Sequence, residues 1–163
     1  MVSSNEVILM TSILIRDTVP AMFAYLNTPV SNVTGNGTTY VIKFDTVLFG
    51  SGYNTATGLY TVPVAGNYLL CGSFKYTTII NGANGNLATL NQSGFAYRIS
   101  EYATTASKTL SNTFCTNGMN VVTAAAGDTL SMSAQLNNGS TASVGIAGGN
   151  APYISWFFVR YIG

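Results

Sequence analysis

The stretch Thr57-Gly58-Leu59-Tyr60-Thr61-Val62-Pro63-Val64-Ala65-Gly66-Asn67-Tyr68-Leu69-Leu70 constrains the fold more than any other. It reads as strand, sharp turn, strand. Thr57-Gly58 signals a turn, and Leu59, Thr61 and Val62 favour a strand. Pro63 has no N–H to give to a central ladder, so it belongs at a strand end or a bulge. Gly66-Asn67 supplies the backbone freedom to bend the chain, which makes Gly66 a structural turn residue. Tyr68, Leu69 and Leu70 then open a second strand that reads as buried on both faces.

The rest of the chain repeats this grammar. Residues 40–48 alternate as a strand, and 68–80 form a long apolar strand suited to a sheet centre. Residues 95–101, 110–115, 119–124, 129–136 and 154–162 read as further strands. Residues 28–39 are polar with a turn at Gly35-Asn36-Gly37, and 50–57, 81–86, 103–107 and 137–150 read as turns or loops. Gly127-Asp128 is a tight turn in which the Asp128 carboxylate can accept backbone N–H bonds. Many short strands, regular turn signals and no helical period predict an all-β sandwich in one domain.

Composition removes several function classes. Charged residues are 7 % and hydrophobic residues 47 %, the reverse of a disordered chain. A formal net charge of +1 with scattered Lys and Arg offers no phosphate-binding stripe, so nucleic acid is not an expected partner. The chain has no histidine, which removes the usual general base and the commonest zinc ligand. No nucleophile–base pair, metal-ligand set or phosphate loop is visible, so a non-enzymatic protein without cofactors is expected. The acids Glu6, Asp17, Asp45, Glu101 and Asp128 form no sequence-local pair. Cys71 and Cys115 read as small buried hydrophobes in strands, with a disulfide as the alternative. Four sequons begin at Asn32, Asn36, Asn91 and Asn138, about as many as so much Asn, Ser and Thr produces by chance. No run reaches the roughly 18 apolar residues of a membrane-spanning helix. The apolar start carries Glu6 where a signal peptide has basic residues, so it is expected to be mature sequence.

The pattern Phe44-x-x-Val47, then Tyr53, then Thr57-Gly58-x-Tyr60-Thr61-x-Pro63-Val64-x-Gly66-x-Tyr68 resembles the signature of the globular C1q domain. Residues 117–130 resemble that family's strand, Gly-Asp turn, strand, and 153–161 its closing aromatic strand. The resemblance covers residues 20–163 and implies a ten-stranded jelly roll of the tumour-necrosis-factor type that assembles as a homotrimer. It places the domain at 19–163, with 19–26 as the first strand, Phe23 and Tyr25 on one face and Ala24 and Leu26 on the other. Calcium occurs in some members of that family and stays a minor alternative to the expectation of no cofactor, since Asp45 and Asp128 are few carboxylates for such a site.

Residues 1–18 precede the domain as an arm, extended or as a short helix with Val7, Met10 and Leu14 on one face. It has neither a collagen period nor a heptad stalk. Its apolar residues Val7, Ile8, Leu9, Met10, Ile13, Leu14 and Ile15 need a surface to dock on. The closing strand is apolar on both faces: Tyr153, Phe157, Val159 and Tyr161 on one, Ile154, Trp156, Phe158 and Ile162 on the other. One face suffices for a core, so a second surface must cover the other. The trimer-interface candidates are Tyr60, Tyr68, Tyr153, Trp156, Phe157, Phe158 and Tyr161. Trp156 stands where the resembled family commonly has Gly. The expected protein is a trimeric structural component of a virion surface. It would be a phage capsid decoration or cement protein, or the head of a short fibre, held to a capsid or fibre scaffold by the arm. The alternative is an extracellular recognition module that binds a cell-surface glycan or protein through loops 81–91 and 137–150.

Overall fold

The structure is a computed structural model that describes residues 19–79, 84–93, 95–103, 113–137, 144–150 and 152–163. In chain order its strands are β1 (Ala21–Tyr25), β2 (Val30–Thr34), β3 (Asn36–Val41), β4 (Thr46–Gly50), β5 (Tyr53–Asn54), β6 (Leu59–Thr61), β7 (Gly66–Thr77), β8 (Asn84–Gln92), β9 (Phe95–Ala103), β10 (Thr113–Ala124), β11 (Thr129–Asn137), β12 (Val144–Ile146) and β13 (Trp156–Tyr161). The described residues thus form thirteen strand segments rather than ten.

Two sheets make the sandwich. The first runs β2-β12-β7-β13-β1-β4, with β10 on the other side of β7. The second runs β5-β6-β11-β8-β9, with β3 also on β11. Strand β7 is the spine of the first sheet. It pairs with β10 from Gly66 to Thr77, and with β13 and then β12 on its opposite edge. Period-two alternation sends Tyr68, Leu70, Phe74 and Tyr76 inward, where all four are buried. Leu69, Cys71, Ser73 and Lys75 point outward and are half-buried. The inward residues meet Met132, Leu130, Ala134 and Leu136 of β11 in one core.

Several local readings are corrected. Residues 84–91 are not loop: they belong to β8, which is paired with β11 on one side and β9 on the other. Pairing on both edges overrides the loop-like composition. Within 137–150, Val144-Gly145-Ile146 forms β12; a Cβ at Gly145 would meet Val30 O and Thr77 Oγ1, so glycine lets β2 approach. Residues 28–39 carry β2 and β3, divided at the buried, positive-φ Gly35. Residues 113–124 are one strand, paired without a break against Gly66–Thr77 of β7. Residues 40–48 are not one strand. Past Val41 the ladder gives way to a side-chain clamp in which the Tyr53 hydroxyl accepts from Phe44 N at 3.0 Å and donates to Ile42 O at 3.4 Å. Residues 1–18, including every arm-docking candidate, lie outside the described residues, as do 80–83, 104–112 and 138–143.

Candidate assembly face

The register of five antiparallel strands builds the most unusual surface of the molecule. Met119 on β10 lies opposite Cys71 on β7, Cys71 opposite Phe158 on β13, Phe158 opposite Phe23 on β1, and Phe23 opposite Phe49 on β4. All five point away from the core, so an unbroken apolar row crosses the outer face of the first sheet. One row toward one end, Asn117, Ser73, Trp156, Tyr25 and Thr46 stand in line. One row toward the other end are Val121, Leu69, Arg160 and Ala21.

The aromatic members touch one another. The Phe23 ring stacks on Trp156 at 5.8 Å and on Phe49 at 6.0 Å, and meets Tyr153 at 5.5 Å. Tyr153 also meets Tyr25 at 4.7 Å. Such contacts leave Phe23, Tyr25, Trp156 and Phe158 half-buried, while the edges of the face stay open to water. Phe49 remains 48 % exposed, Val121 52 % and Met119 71 %. A register shift between Phe23 and Ala24 bulges β4 there, so that Leu48 is turned out beside Phe49. A shallow depression of about 360 Å³ lies between Met119 and Trp156, floored by Cys71 and Gly72. The charged residues of these rows are confined to Arg160 and, further along β7, Lys75.

The other face of the same strands is core. Phe157 lies opposite Gly72 and Ala24, and the space a side chain at Gly72 would need is filled by Met132 of the facing sheet. It stacks on Phe44 at 6.1 Å. Tyr68 alternates inward on β7 and donates its hydroxyl to Val64 O at 2.7 Å. Tyr60 packs beside it at 6.5 Å, and burial pushes the Tyr60 hydroxyl pKa up to about 12. Tyr60, Tyr68 and Phe157 are therefore core residues, not surface available to a second copy, which corrects the expectation for these three. Tyr161 is half-buried, edge-on to Tyr68 at 5.3 Å. Trp156 and Phe158 lie on the outer face, and so does Tyr153, against Phe23 and Tyr25; the expectation that it shares the Phe157 face is corrected, because β13 begins only at Trp156 and strand alternation does not reach Tyr153. Sequence reading did not nominate Phe23, Tyr25, Phe49, Met119 or Val121. The alternation of β1 put Phe23 and Tyr25 on one face; the partners that complete the row come from strands distant in sequence.

The remaining candidates hold turns. A Cβ at Gly66, whose φ is +151°, would meet the Tyr161 ring and Gly163 O. Gly127 has φ +91°, and its N–H donates to Val62 O at 2.8 Å. Asp128 Oδ2 accepts from Ala125 N at 2.9 Å, and Oδ1 accepts from the Ser93 hydroxyl at 3.0 Å. Asp45 is likewise occupied, accepting from Asn27 N at 2.7 Å and Thr28 N at 2.9 Å. Burial raises the Asp45 pKa, but these N–H donors and the Thr28 and Thr46 hydroxyls outweigh it and hold the carboxyl below its usual range. Among the described residues no three metal-ligating side chains converge, and no helix is long and apolar enough to cross a membrane. Both cysteines are free and outward-facing, and Cys115 is exposed rather than buried. Cys115 lies opposite Lys75, four residues along β7 from Cys71, a spacing of roughly 13 Å that no disulfide spans.

No family model and no curated protein matches the chain. Solved structures do. The globular domain of zebrafish complement 1qA protein superposes with a TM-score of 0.58 at 15 % identity, covering 88 % of this chain and 98 % of that one. Murine APRIL gives 0.55 at 11 %, covering 89 % and 100 %. Eiger TNF from S. frugiperda gives 0.55 at 13 %, covering 89 % and 93 %. The fold is therefore a jelly roll of the C1q and tumour-necrosis-factor type.

Proposed function

We propose that the chain is a non-enzymatic structural protein that assembles as a homotrimer through the outer face of its first sheet. The observation that carries this reading is the uninterrupted row Met119, Cys71, Phe158, Phe23 and Phe49, flanked by Trp156, Tyr153 and Val121. A face this apolar gains roughly 25 cal/mol for every Å² it hides from water. The two ends of the row differ, aromatic and stacked at β4 and open at β10, where the single thioether of Met119 stands. A ring closes when one end meets the other on the next copy, whereas a two-fold pair would set like against like. The resemblance to a trimeric family and the likeness in fold support three copies.

The setting proposed is a virion surface, as a capsid decoration or cement protein or the head of a short fibre. An uncharged Asn/Thr/Ser/Gly surface suits a tightly packed assembly, and residues 1–18 supply an apolar segment to hold a scaffold. Deleting residues 1–17 is expected to leave the trimer intact and abolish incorporation into particles; unchanged incorporation contradicts this part. The second reading, an extracellular recognition module, predicts that isolated trimer binds host cells or a glycan array. Because 84–91 is strand, such binding would fall to the connections around it and to 137–150.

Trp156 is the sole tryptophan and sits on the proposed interface, so the assembly reports on itself. In the trimer its fluorescence is shielded from acrylamide, and dilution into the dissociated range exposes it. Quenching that is equally strong at all concentrations would overturn the interface.

A further inference from the structure

We propose that the open edge of β10 takes up an extended, neutral segment of a partner chain as an added antiparallel strand along Cys115–Met119. This stands apart from the trimer. It uses N–H and C=O groups in the plane of the sheet, whereas the assembly face uses side chains directed out of it.

Among the described residues β10 has a neighbour on one edge only, which is β7. Successive residues of β7 bond to alternate sides. Asn67 O accepts from Ile162 N and Lys75 O from Ala147 N, each at 2.8 Å, so the odd residues of β7 bond toward β13 and β12. Its even residues therefore bond toward β10, where Leu70, Gly72 and Phe74 lie opposite Asn120, Gly118 and Thr116. The intervening residues Cys115, Asn117 and Met119 direct their N–H and C=O groups to the open edge, and all three are exposed. Val121 has the same parity. Its N–H donates to Asn120 Oδ1 at 2.9 Å, which closes the open run at that end.

An open edge is a template for another strand, and sheets guard against this with short, bulged, charged or interrupted edges. The other edges here are guarded. Strand β4 has five residues and faces a register shift, and β5 has two residues. Asn32 in β2 has φ 59° and Gly37 in β3 has φ 84°. Strand β9 contains Arg98 and Glu101. By contrast β10 runs for 12 residues without a charge, a proline or a break in its pairing. Its inner side holds a second sign of a missing neighbour: Thr116 is buried, and its Oγ1 has no hydrogen-bond partner. An added strand sets one residue opposite Thr116 in a non-hydrogen-bonded pair, with Cα atoms about 4.5 Å apart, where a hydroxyl or amide side chain can reach it. The partner segment is therefore extended and uncharged, with Ser, Thr, Asn or Gln at that position. A second copy of β10 fits less well. Five residues of edge are about 17 Å long and one strand wide, far short of the roughly 1,200 Å² that a stable interface between two folded bodies buries.

Amide exchange with a peptide probe tests this on the full chain. In the free protein the amides of Cys115, Asn117 and Met119 should exchange at least about a hundredfold faster than those of Thr116, Gly118 and Asn120, which bond to β7. The probe is a capped peptide of alternating threonine and valine with one lysine at each end. At about 1 mM it should slow the three outward amides at least about tenfold. With threonine opposite Thr116, the valine N–H groups point at β10. N-methylation of the valines should abolish the effect, and N-methylation of the threonines should not. Asn117→Pro removes one outward N–H and none that bonds to β7, so it should weaken the peptide at least about tenfold, while Asn117→Ala retains it. Slow exchange of the outward amides in the free chain overturns the open edge. No protection by about 5 mM peptide, or equal protection by both N-methylated forms, overturns the added strand. Light scattering on the same samples separates the readings. A mass that doubles with concentration and reverts in Asn117→Pro gives the edge to a second copy and overturns the partner segment. A single-copy chain that still takes up the peptide contradicts the trimer and supports the edge.

Discussion

The outer faces of the two sheets belong to one sandwich but obey opposite rules. On the first sheet the outward positions are Phe23, Phe49, Phe158, Trp156, Met119 and Val121. On the second, the outward positions of β11 are Thr129 and the buried Ser131 and Ser133, which with Thr39, Val41, Leu59 and Ser93 line a depression of about 250 Å³. Both sheets bury their other face in the same core. A sheet that covers one core needs only its inner face apolar, so the apolar outer row of the first sheet is surplus to the core, whereas the outward serines and threonine of β11 are not. The difference favours the first sheet as the side on which the proposed assembly forms.

The largest effect should follow from placing a charge in the centre of the apolar row. Phe158→Asp is expected to dissociate the trimer, weakening it more than about a thousandfold, while the far-ultraviolet spectrum stays that of the folded sheet. Thr39→Asp, the matching change on the second sheet, should leave the mass unchanged, and equal effects of the two would erase the contrast between the faces. One residue earlier on β13, Phe157→Ala should act on the other side of the sheet, costing about 3–5 kcal/mol of folding stability in thermal or urea unfolding. If Phe157→Ala instead dissociated a stable monomer, the inner and outer assignment of β13 would be reversed.

Smaller effects test the turns that keep the first sheet in register. Gly66→Ala forces a side chain into a left-handed backbone position and against the Tyr161 ring, and should cost about 1–3 kcal/mol. Asp128→Ala removes the acceptor from Ala125 N and the Ser93 hydroxyl and should cost about 1–2 kcal/mol. The least effect at ordinary pH comes from the buried tyrosines. Burial raises the Tyr60 pKa to about 12 and that of Tyr76 further, so their contribution is complete below pH 10 and is lost as the pH rises through the folded values. The melting temperature should therefore be level up to about pH 10 and fall above it, less steeply in Tyr60→Phe.

The faces of individual strands were legible in the sequence because the strand period is two. Phe23 and Tyr25 separate from Ala24 and Leu26, and Phe157 and Val159 from Trp156 and Phe158, by alternation alone. Which of two apolar faces points inward was not legible. That choice depends on what each face meets: Phe157 packs on Phe44, a partner distant in sequence. Tyr68 was misplaced for the same reason, since its hydroxyl finds Val64 O and the ring can then be buried completely, with Tyr60 packed beside it. Met119 was invisible as a surface residue until β10 was registered against β7. Asn84–Gln92 hid as a loop because its composition says turn, while its two paired edges make it strand.

The most direct test of the assembly face is the mass of the full chain in solution by light scattering, measured beside that of Phe158→Asp. The account predicts three copies for the wild type and one for the variant, both folded. A wild-type chain with the mass of one copy would contradict it, and the row from Met119 to Phe49 would then have to be covered from within the same molecule.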